Sequence, residues 1–232
     1  MICRIADLTV EIPETGGMAS RCQAYLTGEE STVDIRISEG QYKLAVWEDL
    51  SYDLACYMES GYHFYANLLR FSGMLLHSSA LEYGGRAYLF SGPSTVGKST
   101  HTRQWQKTFG ADVRVFNDDK PALRCVEGQW YAYGTPWCGK DGINENRKVP
   151  LAGICFLKQA RENRIRRLTA FEAVGKICSQ TVYNLYKQEN MDRMLSCVDA
   201  LVQDIPVWEL ENFPGEEAVR LAWETMVSAS NN

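Results

Sequence analysis

The chain of 232 residues is long enough for one large domain, or for a small domain joined to a medium one. Its 24 basic and 29 acidic residues give a formal charge of −5, which argues against nucleic-acid binding through a broad basic face. The N-terminus has no basic segment followed by an apolar run, and the longest clean apolar stretch, 151–157, is far shorter than the about 20 residues that span a bilayer. We therefore expect a soluble, cytoplasmic protein with neither a nucleic-acid nor a membrane partner.

Eight cysteines are scattered along the chain, and no two of them have CxxC spacing. Many stand inside apolar runs, as Cys155 and Cys178 do. This pattern favours reduced, buried thiols over disulfides or a zinc site.

The first 50 residues show short runs typical of strands, separated by breakers. Runs 4–12, 21–26, 32–37 and 41–47 are predicted as strands. From about residue 49 to 76, apolar residues recur at three- and four-residue steps, which predicts a helix that Gly61 could interrupt.

The rest of the sequence alternates strand and helix patterns and predicts an α/β (α+β) fold. Predicted strands cover 74–83, 86–91, 113–116, 122–126, 130–133, 149–157 and 205–210. Predicted helices cover 100–109, 169–187, 191–202 and 214–226. Thr169 and Glu172 have the spacing of a capping box, and Gly84-Gly85 is typical of a hairpin turn.

The sharpest motif follows the predicted strand 86–91. Residues 92–99 satisfy the phosphate-loop pattern GxxxxGK[ST] in full: Gly92, Pro93, Ser94, Thr95, Val96, Gly97, Lys98 and Ser99. Glycines let backbone amides close around phosphates, and the next helix, from Thr100, presents its positive N-terminal end to the anion. Lys98 can reach the β- and γ-phosphates, and the Ser99 hydroxyl can bind Mg²⁺. The motif predicts ATP and Mg²⁺ as ligands.

Two adjacent carboxylates, Asp118 and Asp119, follow the next predicted strand. One could hold Mg²⁺ while the other accepts a proton from an attacking hydroxyl. The alternative is a solvated turn before Pro121. The chain contains no DxxG and none of the HRD, DFG and APE set, so guanine-specific GTPases and eukaryotic-type protein kinases are excluded.

Taken together, these features resemble the HPr kinase and phosphoenolpyruvate carboxykinase superfamily, and especially its small HPr-kinase-like members. The matching residues are His77, 92–99, 117–119, 134–140, Arg147 and the strand 149–157, within a stretch of about 75–168. The resemblance implies a phosphate-loop kinase core with a mixed central sheet in 74–232, followed by C-terminal helices. The strand-rich region 1–73 would precede this core and could recognise the acceptor.

The resemblance also implies roles for individual residues. Asp118 or Asp119 would activate the acceptor hydroxyl, and the other would assist the metal. A basic residue from the later loop, Arg147 or Lys140, would lie near the transferred phosphoryl group, and His77 would lie near the active site. The glycine-rich signature of true HPr kinases is replaced here by 134–140, which argues against HPr itself as the substrate.

The loop 134–140 offers candidates for a substrate pocket. Trp137 stands between Pro136 and a glycine-containing loop, and with Gly139 and Lys140 it is predicted to line that pocket. Trp130 is predicted as core. A basic cluster at 161, 164, 166 and 167 is interpreted as a solvated hairpin edge, with an acidic partner peptide as the alternative.

The sequence therefore predicts an ATP- and Mg²⁺-dependent kinase. Its acceptor would be a serine or threonine of a peptide or protein, or a small alcohol. Two alternatives stay open: a non-catalytic nucleotide-binding subunit that contacts a partner, and a hydrolase that releases free phosphate. The sequence does not decide whether the protein self-associates.

Overall fold

A computed structural model describes residues 1–15, 17–28, 32–181 and 188–227. The strands are β1 (Ile2–Ile5), β2 (Leu8–Glu11), β3 (Ile35–Arg36), β4 (Gly73–Leu75), β5 (Ser78–Tyr83), β6 (Arg86–Ser91), β7 (Val113–Asn117), β8 (Ala122–Val126), β9 (Gln129–Tyr133), β10 (Lys148–Gln159), β11 (Arg164–Arg167) and β12 (Val207–Asn212). The α-helices are α1 (Met18–Arg21), α2 (Tyr52–Leu68), α3 (Lys98–Phe109), α4 (Ala170–Cys178), α5 (Gln188–Asp204) and α6 (Glu216–Met226). The fold is a mixed α/β fold.

A nine-stranded mixed sheet forms the centre of the molecule. Its main path runs β4-β8-β9-β10-β6-β5-β7, and β12 and β11 extend it from β10. The long strand β10 pairs antiparallel with β9 at its start and parallel with β6 and β12 further on. This change of partner along one strand curls the sheet.

Helices cover both faces of this sheet. Side chains from neighbouring positions of β10 enter different apolar clusters, as strand geometry requires: Ile154 packs with α4 and α5, whereas Cys155 packs with α3 and α6. This alternation explains why β6 and β10 read as continuous apolar runs in the sequence. Among the described residues, no helix has the length and apolar character needed to cross a membrane.

The N-terminal region differs from its prediction. The run 4–12 is a hairpin of β1 and β2 because Ala6 and Asp7 adopt positive φ angles of 51° and 60° and turn the chain. The predicted strands 21–26 and 41–47 are wrong. These runs fold mainly into single helical turns, at Met18–Arg21, Gln23–Tyr25, Glu39–Gln41 and Leu44–Trp47. Of 32–37, only Ile35–Arg36 is a strand, beside β2.

The core elements follow the predictions closely, with three differences. The predicted strand 74–83 is divided into β4 and β5 around His77. The predicted basic hairpin edge forms an additional strand, β11. The Thr169–Glu172 capping box is present, but α4 ends at Cys178. The end of the predicted helix 169–187 lies partly outside the described residues.

The predicted boundary at residue 73 falls within a shared apolar cluster. β4 crosses it, and Phe64 and Leu68 of α2 share a cluster with Leu75 and Trp137. The division into 1–73 and 74–232 stays a prediction.

Gly61 does not interrupt α2, and the reason for a glycine here is the close approach of Trp137. A Cβ atom at residue 61 would lie 2.9 Å from Trp137 Cδ1. We expect Gly61→Ala to destabilise the protein by about 1–2 kcal/mol, because overpacking exceeds the gain in helix propensity. Gly175→Ala is the matched control, since a Cβ there meets nothing within 4 Å and should stabilise α4 slightly. Urea unfolding checks both, and equal stabilisation by both changes would contradict this packing.

Candidate active site

A cleft of about 560 Å³ lies at one edge of the central sheet. β5 pairs antiparallel with both β6 and β7, with Ser78 opposite Ser91 and Ala80 opposite Asn117. The C-terminal ends of β6 and β7 and the start of β5 therefore meet at the same edge. The chain segments that follow or precede these ends carry the predicted site residues.

The loop 92–97 joins β6 to α3 and forms one wall of this cleft. Gly92 and Gly97 have φ angles of 141° and 106°, which favour glycine. A Cβ at residue 92 would also lie 3.1 Å from the carbonyl oxygen of Leu157. α3 begins directly at Lys98, so its positive N-terminal end faces the cleft.

Six of the nine predicted nucleotide-binding residues, 92–100, line the cleft. They are Ser94, Thr95, Gly97, Lys98, Ser99 and Thr100. Gly92 and Pro93 contribute carbonyl oxygens, which accept hydrogen bonds from Lys98 Nζ at 2.9 and 3.2 Å. Val96 packs against an apolar cluster. Burial lowers the pKa of Lys98, so an anion in the cleft would compensate for the cost of burying this ammonium group.

The acidic turn opposite the loop is held in shape by Asn117. Its Oδ1 accepts hydrogen bonds from the backbone N–H groups of Asp119 and Lys120, at 3.1 and 2.8 Å. Its Nδ2 donates to the carbonyl oxygens of Thr135 and Trp137, at 3.2 and 3.1 Å. One buried side chain thus fixes the turn to the loop 134–146.

The two aspartates lie in different electrostatic surroundings. Asp118 is buried and accepts a hydrogen bond from the Gly139 N–H at 2.7 Å. Its pKa is raised by burial and by the neighbouring carboxylates of Asp141 and Asp119. Although burial acts in the opposite direction, hydrogen bonds from His77 and Lys120 lower the pKa of Asp119 to about 2. Asp119 is therefore ionised at neutral pH, whereas burial is the main factor that disfavours the charged form of Asp118.

His77 connects the acidic turn to the segment after α4. Its Nε2 lies 3.0 Å from Asp119 Oδ1, and its Nδ1 lies 3.2 Å from Gln180 Oε1. Its backbone N–H donates to the Gln180 carbonyl oxygen at 2.8 Å, and its own carbonyl accepts from the Ser91 hydroxyl at 2.8 Å. The imidazole is thus fixed against Asp119.

The low pKa of Asp119 predicts a pH-dependent contribution to stability. Because the folded pKa of about 2 lies below the ordinary 3.8, this contribution is fully present above pH 5 and is lost as the pH falls to 2. The difference in unfolding free energy between wild type and Asp119→Asn should shrink by about 2 kcal/mol between pH 5 and pH 2. Urea unfolding at several pH values measures it, and a difference independent of pH would contradict the assignment.

Of the remaining predicted site residues, two line the cleft and two lie outside it. Gly139 and Lys140 line the cleft. Arg147 does not reach it, because its guanidinium pairs with Glu82 near the opposite end of β5. Trp137 is fully buried outside the cleft, stacked on Phe64 at a centroid distance of 4.8 Å.

Three cleft or near-cleft residues were missed by sequence reasoning. Arg103 of α3 pairs with Asp141 of the loop 134–146, and both line the cleft. Lys120 contacts Asp119 and lies 3.4 Å from the Tyr57 hydroxyl. Lys120 directly follows the aspartates, and Arg103 lies four residues after Ser99 on the same helix, so spacing alone could have pointed to both.

The donor set of the cleft fits a magnesium ion bound mainly through phosphates. Within the described ranges, no group of three or more His, Cys, Asp and Glu side chains is placed to hold a metal by itself. Mg²⁺ in phosphoryl-transfer sites commonly uses only one or two protein carboxylates together with substrate phosphates and waters. Asp118 and Ser99, which both line the cleft, offer oxygen ligands of the kind that such a site uses.

A model of a known protein family matches most of the sequence. The family described as SynChlorMet cassette protein ScmC matches residues 48–212, which is more than half of the chain. The chain belongs to this ScmC family. The matched range contains the loop 92–97, both aspartates and His77.

Other comparisons are more distant. No curated protein matches the sequence. Among solved structures, the HPr(Ser) kinase/phosphatase from Coxiella burnetii is similar over 68% of this chain and 94% of that one, with 12% sequence identity and a TM-score of 0.38. This is a partial likeness, and membership of the HPr kinase and phosphoenolpyruvate carboxykinase superfamily stays a prediction for this ScmC family member.

Proposed function

We propose that this ScmC family member is an ATP- and Mg²⁺-dependent kinase that transfers the γ-phosphoryl group to a hydroxyl acceptor. One observation carries the proposal: a single cleft brings Lys98 and Ser99 of the phosphate-loop motif together with Asp118, Asp119 and His77. Phosphoryl transfer needs mainly positioning and charge neutralisation, and this cleft offers groups for both.

The phosphate-loop wall holds the donor. Backbone N–H groups of the loop and the start of α3 bind the phosphate oxygens, and the ammonium group of Lys98 turns from the Gly92 and Pro93 carbonyls to the triphosphate. Lys140 and Arg103, on facing walls, add positive charge around the transferred group. Of the two basic residues that the resemblance implies for this role, Lys140 lines the cleft and Arg147 does not.

Asp119 receives the acceptor hydroxyl. It is ionised at neutral pH and lines both the cleft and an adjacent groove, so its carboxylate accepts the hydroxyl hydrogen bond at the border between donor and acceptor. Transfer forms a bond between the hydroxyl oxygen and the γ-phosphorus. The bond from that phosphorus to the β–γ bridging oxygen breaks, ADP leaves, and the hydroxyl proton passes to Asp119. His77 acts as a positioning residue that orients this carboxylate.

Asp118 and Ser99 would hold the magnesium ion. When bound, Mg²⁺ neutralises phosphate charge and orients the phosphate oxygens. The Gly139 N–H donates to Asp118 Oδ1 and so fixes the position of this carboxylate beside the loop 134–146. A Cβ at residue 139 would lie 2.9 Å from Asp118 Oδ2, which explains a glycine at that point.

Incubation of the purified protein with γ-labelled ATP, Mg²⁺ and a cell extract tests the proposal. Label transferred to a protein, peptide or metabolite is the expected result. Saturable nucleotide binding without transfer would instead indicate a regulatory subunit, and release of free phosphate without a labelled acceptor would indicate a hydrolase. Either of these results would contradict the kinase.

A further inference from the structure

Two further cavities adjoin the cleft, and neighbouring members of the three share lining residues. A groove of about 340 Å³ shares His77 and Asp119 with the cleft. A smaller cavity of about 150 Å³ shares Leu75 and Lys120 with the groove. Asp119 therefore borders the cleft and the groove, and Lys120 borders the groove and the small cavity.

The small cavity, which we call the aromatic cavity, has walls built mainly from rings. Its lining includes Trp47, Tyr57, Tyr62, Tyr65 and Trp137, together with the half-buried Met58. Its volume is close to that of an engineered apolar protein cavity of about 150 Å³ that binds benzene. Aromatic rings prefer to pack against other rings in stacked or edge-to-face arrangements, so these walls suit a ring as occupant.

The polar atoms of these walls are already engaged elsewhere. The Tyr57 hydroxyl donates to the Cys138 carbonyl oxygen at 2.8 Å. Trp47 Nε1 donates to Glu59 at 2.7 Å, and Trp137 Nε1 donates to Ser60 at 3.1 Å. The aromatic cavity therefore offers chiefly ring faces and C–H edges, which favour an apolar group over a sugar or a charged metabolite.

We propose that the aromatic cavity binds an aromatic side chain of a peptide acceptor, close in sequence to the serine or threonine that receives the phosphoryl group. The inference rests on the proposed kinase function. The hydroxyl would lie against Asp119 in the groove, and the groove is larger than a hydroxymethyl group needs, which leaves room for peptide backbone. The ring would lie beyond Lys120, whose Nζ is 5.3 Å from the Tyr57 ring centroid.

A binding experiment without nucleotide tests the cavity separately from catalysis. The probes are N-acetyl-phenylalaninamide and N-acetyl-alaninamide, titrated against the full chain by saturation-transfer NMR. Only the aromatic probe should bind saturably. Met58→Trp should fill the cavity and weaken binding of the aromatic probe by at least about tenfold. Lys98→Ala should leave this binding unchanged. Met191→Trp, which replaces a half-buried methionine of α5, should also leave it unchanged. No binding to wild type, or equal binding to Met58→Trp, would overturn the inference.

A transfer experiment then tests the acceptor class. Two mixtures of serine-containing peptides, alike except that one lacks Phe, Tyr and Trp, are incubated with labelled ATP and Mg²⁺. Label should enter the aromatic mixture at least about tenfold faster, and Met58→Trp should remove that preference. Equal labelling of both mixtures would overturn the aromatic cavity as a subsite but leave the kinase intact. Labelling of neither, with a cell-extract acceptor still labelled, would overturn the peptide acceptor.

Discussion

Lys98→Ala should lower phosphoryl transfer by about 100- to 1000-fold, because it removes a cation that stabilises charge developing on the transferred group. The same change should weaken nucleotide binding, since Lys98 is the buried ammonium group of the phosphate-loop wall. Initial rates with labelled ATP and a titration of nucleotide binding measure the two effects.

Lys107→Ala is the matched control for this change. Lys107 lies on the exposed face of the same helix, so its removal alters the net charge equally without touching the cleft. Transfer should be unchanged in this variant. If Lys98→Ala retained full transfer, or if both variants lost it equally, Lys98 would not be a phosphate-binding residue.

Asp119→Asn should lower transfer by about 100- to 10,000-fold while the nucleotide still binds. The amide keeps the size of the carboxylate and can still accept a hydrogen bond from His77, but it neither carries the negative charge nor takes up the hydroxyl proton. At neutral pH the variant also lacks the stability that the ionised Asp119 contributes, so transfer is measured on protein that unfolding experiments show to be folded. Single-turnover rates on pre-bound labelled ATP isolate this step.

Asp112→Asn provides the control for the removal of one negative charge. Asp112 is exposed just before β7 and lies on the same segment as the acidic turn. We expect transfer by this variant to match wild type. Normal transfer by Asp119→Asn would show that Asp119 takes no part in the reaction and that its ionisation affects only the stability of the fold.

The central strands were predictable because their signals are local. β6 and β8 match their predicted bounds, and the phosphate-loop motif stands between a strand and a helix as expected. The paired aspartates were found because they follow a strand in sequence. The hydrogen bonds by which Asn117 holds this turn in place were not predictable, because their acceptors are carbonyl oxygens of residues 135 and 137 in a separate loop.

The places that the sequence did not indicate have a common physical cause, which is dependence on distant contacts. Arg147 matches the resemblance by position in the sequence, but the register of β5 places Glu82 beside it, far along the strand from Ser78. Trp137 lines a small cavity beside α2 rather than the cleft, because Gly61 of α2 lets its ring approach closely. Two of the helical turns in the N-terminal region bury Met18 and Tyr25 in an apolar cluster that includes residues of α2, a contact that local periodicity does not show.

A crystal structure with a non-hydrolysable ATP analogue and Mg²⁺ tests the central claim most directly. We predict that the triphosphate lies against the backbone of 92–99 with Lys98 on its terminal phosphates, and that Asp118 and Asp119 face the γ-phosphate from the opposite wall. A nucleotide bound elsewhere, or phosphates remote from both aspartates, would contradict it.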